Sequence, residues 1–218
     1  MCTRILYTSF PRSGTIWTEQ VLKNYFDRIN FNYSITSHHG MWTVYPMNLA
    51  SSTAPSIVDT TGICFHKRRR DHKRVMFSNL ERIKVETKLK GSNATDVDIL
   101  VNIFDVYVQY YTIWKAYNKY LDVHFIYHED MLEQKEDYLG SILEKSGIDL
   151  NKDKLKKSFD KYSTKKAVSK VHIERQGINL GNHMVQYLEP DYEERYEKFL
   201  DEWGDIINNR LKRFEIAS

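Results

Sequence analysis

The stretch from Tyr7 to Leu22, YTSFPRSGTIWTEQVL, decides the reading of this chain. Its first residues are apolar, aromatic or β-branched, as in a strand. Its second half has helical spacing, with Ile16, Val21 and Leu22 available to a core. The joint between them is Pro11-Arg12-Ser13-Gly14-Thr15. A helix start leaves unpaired backbone N–H groups and the positive end of a dipole. Gly14 permits a tight turn and close approach of a ligand to the backbone. Ser13 and Thr15 add hydroxyls, and Arg12 adds a fixed charge. A strand–loop–helix so equipped is a phosphate cradle. The plainer alternative is a helix cap, with Ser13 or Thr15 as the capping residue and Arg12 in solvent.

A chain of 218 residues can bury a sizeable core in one domain, and the whole of 1–218 reads as one. Aromatics make up 13%, which excludes a disordered chain and suits a protein with pockets. Four prolines and nine glycines leave no room for a long linker. Two cysteines, Cys2 and Cys64, exclude a disulfide framework and set a reduced, cytoplasmic setting as the expectation. No stretch has the length and apolarity of a signal core or a membrane span. The histidines lack ligand spacing and the cysteines lie far apart, so no metal site is expected.

Charge is uneven. From His66 to Lys90 there are ten Lys or Arg against three Asp or Glu, a local net of +7 in a chain of net charge +3. Such a block points to an anionic partner, either nucleic acid or a small phosphorylated ligand, unless it is simply a solvated loop.

Residues 4–9 read as a strand and 15–28 as a helix. Residues 29–60 read as a loop-rich excursion. Strands follow at 61–66 (TGICFH) and 74–78 (RVMFS), then a short helix near 81–89. Val97, Leu100, Val101, Phe104, Val108 and Tyr111 recur at helical spacing, which predicts a long helix over 97–120. DVHFIY (122–127) is a fourth strand. Asp130 is placed to cap the next helix, with Leu132, Leu139, Ile142 and Leu143 inward. Helices over 151–160 and 190–213 complete the chain; the latter buries Tyr192, Tyr196, Phe199, Leu200, Trp203 and Ile207. Strands alternating with helices imply an α/β fold with a central parallel sheet covered on both faces. Ligands of such sheets bind at the carboxyl ends of the strands.

Three blocks, in order, resemble the sulfotransferases that use 3′-phosphoadenosine 5′-phosphosulfate (PAPS). Pro11-Arg12-Ser13-Gly14-Thr15-Ile16-Trp17 is similar to their 5′-phosphosulfate loop. FIYHEDMLEQKEDYLGSILEKSGI (125–148) looks like their Tyr-Glu-Asp strand and helix, with His128 in place of the tyrosine. ERQGINLGNHMVQYLEPDYEERYEKFL (174–200) resembles their C-terminal Arg-Lys-Gly segment and closing helix.

The resemblance implies a P-loop-like three-layer α/β fold and transfer of a sulfuryl group from PAPS to a hydroxyl or amine of a small-molecule acceptor. The product would be 3′,5′-bisphosphoadenosine (PAP), with no metal required. It implies donor binding by Arg12, Ser13, Gly14, Thr15, Ile16 and Trp17, with Trp17 on the adenine. The 3′-phosphate positions fall on Asn79 and Thr87, after the third strand. Asn79 is neutral, so Arg82 or the run Arg68–Arg70 would supply the charge. Arg175, Gln176 and Gly177 stand for the C-terminal donor-binding segment. His66, at a strand end, takes the place of the general base, with His38 and His39 as competitors. Arg12, always protonated, acts electrostatically at the leaving phosphate. Glu129 and Asp130 read as structural. Aromatic residues between 31 and 47 either line the acceptor pocket or pack. Two other classes fit the same cradle: a nucleotide- or nucleic-acid-binding protein without transfer activity, and a small-molecule kinase. The kinase lacks a GxxxxGK[ST] loop here.

Overall fold

Strand β1 (Thr3–Ser9) is buried from Ile5 to Ser9, the pattern of a strand covered on both faces. It pairs in parallel with β2 (Tyr33–His39) on one side and β3 (Ile63–Arg68) on the other, and β3 pairs with β4 (Val123–Tyr127). The sheet order is β2-β1-β3-β4, all parallel. Helices α1 (Thr15–Arg28), α2 (His72–Leu89), α3 (Asp96–Tyr117), α4 (His128–Glu133), α5 (Lys135–Lys145), α6 (Lys152–Lys161) and α7 (Tyr192–Arg213) complete the described elements. The computed structural model describes residues 2–11, 13–39, 62–89, 93–117, 123–162, 190–214 and 216. The chain folds as two compact units, Met1–Arg70 with Thr112–Thr164 and Asp71–Tyr111 with Lys165–Ser218.

The first unit holds the sheet. Ile5, Tyr7 and Phe65 lie on one face with Val21, Leu22, Tyr25 and Phe26 of α1 and with Leu139, Ile142, Leu143, Leu155 and Phe159 of α5 and α6. Tyr25 fixes this layer: its hydroxyl donates to the Asp149 carbonyl (2.8 Å) and accepts from the Asn151 amide (2.9 Å). Asn151 also caps α6, its side chain accepting from the Lys154 amide. On the other face Trp114, from the end of α3, packs edge-on to His66. The expected α/β architecture, with a parallel sheet flanked by helices, is therefore present.

In the second unit Phe77 of α2 meets Tyr192, Tyr196 and Phe199 of α7, with ring centroids 5.2–5.3 Å apart. Arg74 pairs with Glu193 and Arg195 with Glu81 across the same helices.

Several expectations are corrected. The excursion over 29–60 contains β2, whose residues alternate between half-buried (Tyr33, Ile35, Ser37) and exposed (Ser34, Thr36). Residues 40–61 lie outside the described ones. RVMFS is not a strand: Arg74–Ser78 belongs to α2, which also absorbs the short helix expected near 81–89. Asp71 starts it, its carboxylate accepting from the Arg74 amide at 2.9 Å. Asp130 does not cap α4, whose N-cap is Tyr127 without a side-chain bond; it pairs with Arg70 instead. Leu132 is exposed, and Met131 fills the core in its place. Val97 and Val101 are exposed on α3, whose buried stripe runs through Ile99, Leu100, Ile103, Phe104 and Tyr107.

Candidate functional site

The loop after β1 carries the site. Gly14 is the N-cap of α1 at φ 77°, ψ 27°, the left-handed region that favours glycine. Among the described residues no side chain caps the helix, and no acidic residue lies in its first turn. Gly14 thus holds the cap position considered for Ser13 or Thr15. Ser13 is buried, and its amide donates to the Phe10 carbonyl at 3.2 Å, which closes the turn. Ile16 is buried beside it. The first-turn amides point out of an uncapped helix start, the arrangement that holds an anion. Arg12 and the Thr15 side chain lie outside the described residues.

His128, the first residue of α4, closes over this loop. A Cβ built on Gly14 would sit 2.5 Å from its Nδ1 and 2.8 Å from its Cε1. Trp17, in the first turn of α1, touches the same imidazole edge-on at 5.8 Å and Phe159 at 5.9 Å. Its ring is half-buried and packs against the core cluster.

Lys67 is the residue that motif reading missed. It sits at the end of β3, level with Ser9 of β1, and is fully buried at 0% exposure. Its ammonium lies 6.0 Å from the centroid of Trp17. Among the described residues neither Lys67 Nζ nor His128 Nδ1 has a hydrogen-bond partner. Burial pushes the Lys67 ammonium well below the usual lysine range; Glu129 and Asp130 oppose that and Arg69 reinforces it. Burial also holds His128 well below the usual histidine range, aided by the charges of Lys67 and Arg69. The available signal was parity: alternation along β3 puts Lys67 on the face of Phe65, where α1 lies, and not on that of His66.

His66 lies on the opposite face at 0% exposure, 4.6 Å from Trp114 and 5.5 Å from Phe125 between ring centroids. Burial, then the charge of Arg68, keeps it well below the usual histidine range. Register places His38 of β2 level with Thr8, as it does His66; His39 is level with Ser9, as is Lys67. Nothing further is described for the side chains of His38 and His39.

Asn79 is buried on α2, and its amide group donates to the Val75 carbonyl at 2.8 Å. The backbone of Thr87 lies on the same helix, with its side chain outside the description. Both therefore stand within α2, which follows β3, and not after a strand over 74–78. Arg175, Gln176 and Gly177 lie outside the described residues. Phe31 and Tyr33 pack on Phe26, at 5.4 and 5.0 Å, so these two aromatics belong to the core.

The basic block is largely engaged. Arg70 forms a two-pronged pair with Asp130 (2.5 and 2.7 Å), which holds that carboxyl below its usual range, and lies over Tyr127. Arg69 lies 3.6 Å from Glu129. Arg68 stacks on Phe125, and Arg74 on Tyr196. Glu129 and Asp130 thus organise cations. Among the described residues, no helix is long and apolar enough to cross a membrane.

Buried His66 and half-buried His128, whose Nδ1 is shut from solvent, make the fold acid-sensitive. In the unfolded chain they bind protons near pH 6.5; in the folded chain they resist. Stability is therefore full above about pH 6.5 and falls as pH drops toward the folded-state values, by up to about 1.4 kcal/mol per pH unit for each histidine. The urea midpoint is expected to drop between pH 7 and 5.5, and His66→Phe to blunt the drop. A midpoint flat across that range would contradict the lowered proton affinity of both imidazoles.

No protein-family model matches the chain, and no curated protein does. Among solved structures, mouse sulfotransferase SULT7A1 complexed with PAP is similar, with a TM-score of 0.59 over 98% of this chain and 88% of that one, at 15% sequence identity. At that identity the likeness shows the fold alone: the parallel sheet with flanking helices is shared with that protein.

Proposed function

We propose that the chain is a PAPS-dependent sulfotransferase acting on a small hydroxylated or aminated acceptor, with 1–218 working as one sulfotransferase domain. The observation that carries this reading is the buried ammonium of Lys67, which has no hydrogen-bond partner among the described residues, beside the start of α1. Burial disfavours the ammonium, and an anion bound beside it offsets that cost. The donor supplies phosphate and sulfate groups, and the structural neighbour was solved with the corresponding product, PAP. Nucleic acid is the weaker partner, because Arg68, Arg69, Arg70 and Arg74 are held by carboxylates and aromatic rings.

In the proposed reaction an acceptor oxygen or nitrogen attacks sulfur in line. The bond from sulfur to the bridging oxygen breaks, and PAP leaves with the electron pair. Catalysis is then positioning and charge stabilisation. Arg12 and the first-turn amides of Thr15, Ile16 and Trp17 receive the leaving phosphate. Lys67 adds a positive charge beside Trp17 in the first turn of α1. A base must come within about 2.6–3.2 Å of the acceptor proton. The burial of His66 under Trp114 argues against that residue, whereas β2 brings His38 and His39 to the strand end beside the loop. We place the base on β2.

The reading is tested by PAPS turnover over a panel of alcohols, phenols and amines, compared with ATP–Mg²⁺. Arg12→Ala is expected to lower turnover by about 10²–10³-fold with the thermal midpoint unchanged. Turnover near the native value in Arg12→Ala, or transfer from ATP in place of PAPS, would refute it.

A further inference from the structure

His128 has a property that a cradle of fixed cations does not need. It stands against Gly14, close enough to forbid a Cβ there, and its buried Nδ1 lacks a hydrogen-bond partner among the described residues. Lys67 is the neighbouring buried group, and its Nζ likewise has no hydrogen-bond partner among the described residues. Around the imidazole the charged groups are Lys67 on β3, Arg69 after it, and Glu129 and Asp130 on α4. The two carboxylates are occupied by Arg69 and Arg70. The α1 side contributes Gly14 and the neutral ring of Trp17. Among the described residues no carboxylate is thus left to hold a proton on this imidazole, and desolvation beside Lys67 and Arg69 disfavours its charged form.

We infer that a phosphate- or sulfate-bearing ligand seated against Gly14 draws a proton from solvent onto His128, so that anion binding and proton uptake are coupled at this site. A bound dianion reverses the local balance. It attracts the imidazolium, and with both ring nitrogens protonated Nδ1–H donates to the anion. One proton enters per anion bound and leaves when the anion leaves. The inference rests on the donor-site reading above for its natural ligand, but not for its chemistry. Its consequence is a site that holds anions more tightly at lower pH and releases a spent product more readily as pH rises.

The test is calorimetric titration of the whole chain with PAP and, separately, with inorganic sulfate, whose charge is constant between pH 7 and 8. Two buffers of different ionisation enthalpy are used at fixed ionic strength. The expected result is uptake of about one proton per anion, with affinity falling up to about tenfold from pH 7 to 8. His128→Gln should bind with little uptake and a flat pH profile, its folding checked by circular dichroism. Binding of both ligands with no uptake, or uptake undiminished in His128→Gln, overturns the inference while leaving the donor reading in place. Sulfate binding with uptake, but no PAP binding, supports the inference and overturns the donor reading. Failure of both ligands to bind overturns both.

Discussion

Lys67→Met is expected to make the protein more stable and unable to hold its donor. The side chain is wholly buried, and among the described residues its ammonium meets no hydrogen-bond partner. Holding that charge, or stripping its proton, costs free energy in the folded state that the unfolded chain does not bear. Methionine has a similar length and an adaptable, unbranched side chain, so it can fill the same space beside Trp17. Replacing buried charge by well-packed apolar atoms gains about 1–4 kcal/mol in comparable cases. In a chain of this size each kcal/mol moves the midpoint by about 2–4 °C. Donor binding runs the other way: loss of a buried charge contact costs about 2–5 kcal/mol, or about thirtyfold in affinity at the least. Thermal melts with and without PAP report both effects. The native midpoint should rise with PAP, whereas the variant should start higher and stay there. A variant that melts lower and still responds to PAP would make Lys67 a packing residue and remove the main support for the proposed function.

The burial of Lys67 marks the limit of what was legible in the sequence. The strand–loop–helix of Tyr7–Leu22 could be read because its three signals agree: an apolar run, a glycine in the turn, and helical spacing beyond it. Lys67 could not be read as a site residue from composition. In a run of KRRR it looks like any solvated cation, and only the pleat of β3 separates it from Arg68, which stacks on Phe125. The same run hid the start of α2. Val75-Met76-Phe77 has the length of a buried strand, yet Leu80 and Ile83 continue the pattern at helical spacing, and Asp71 is a helix-starting residue three positions before Arg74. β2 was obscured by its polarity. In Tyr33-Ser-Ile-Thr-Ser the alternation is present, but only Tyr33 and Ile35 carry apolar weight, since β2 lies at one end of the sheet order.

The strand so obscured changes where the base is sought, and substitution of the histidines separates the two places. His38→Ala and His39→Ala are compared with His66→Ala at saturating PAPS. If the base stands on β2, one of the first two variants should lose about 10²–10⁴-fold in turnover and keep its affinity for PAP, because a base acts on the acceptor proton and not on the donor. His66→Ala should behave differently. It opens a cavity between Trp114 and Phe125, so its loss is expected in the thermal midpoint, with turnover per folded molecule nearly intact. The pH–rate profile of the native protein should have an ascending limb from the β2 histidine, and that limb should vanish only in the variant that removes it. His66 cannot supply the limb by this account: burial and Arg68 both disfavour its proton, and its ring is closed to solvent. Collapse of turnover in His66→Ala, with a native midpoint and with both β2 variants active, would return the base to β3 and require the acceptor to approach from the face that Trp114 covers.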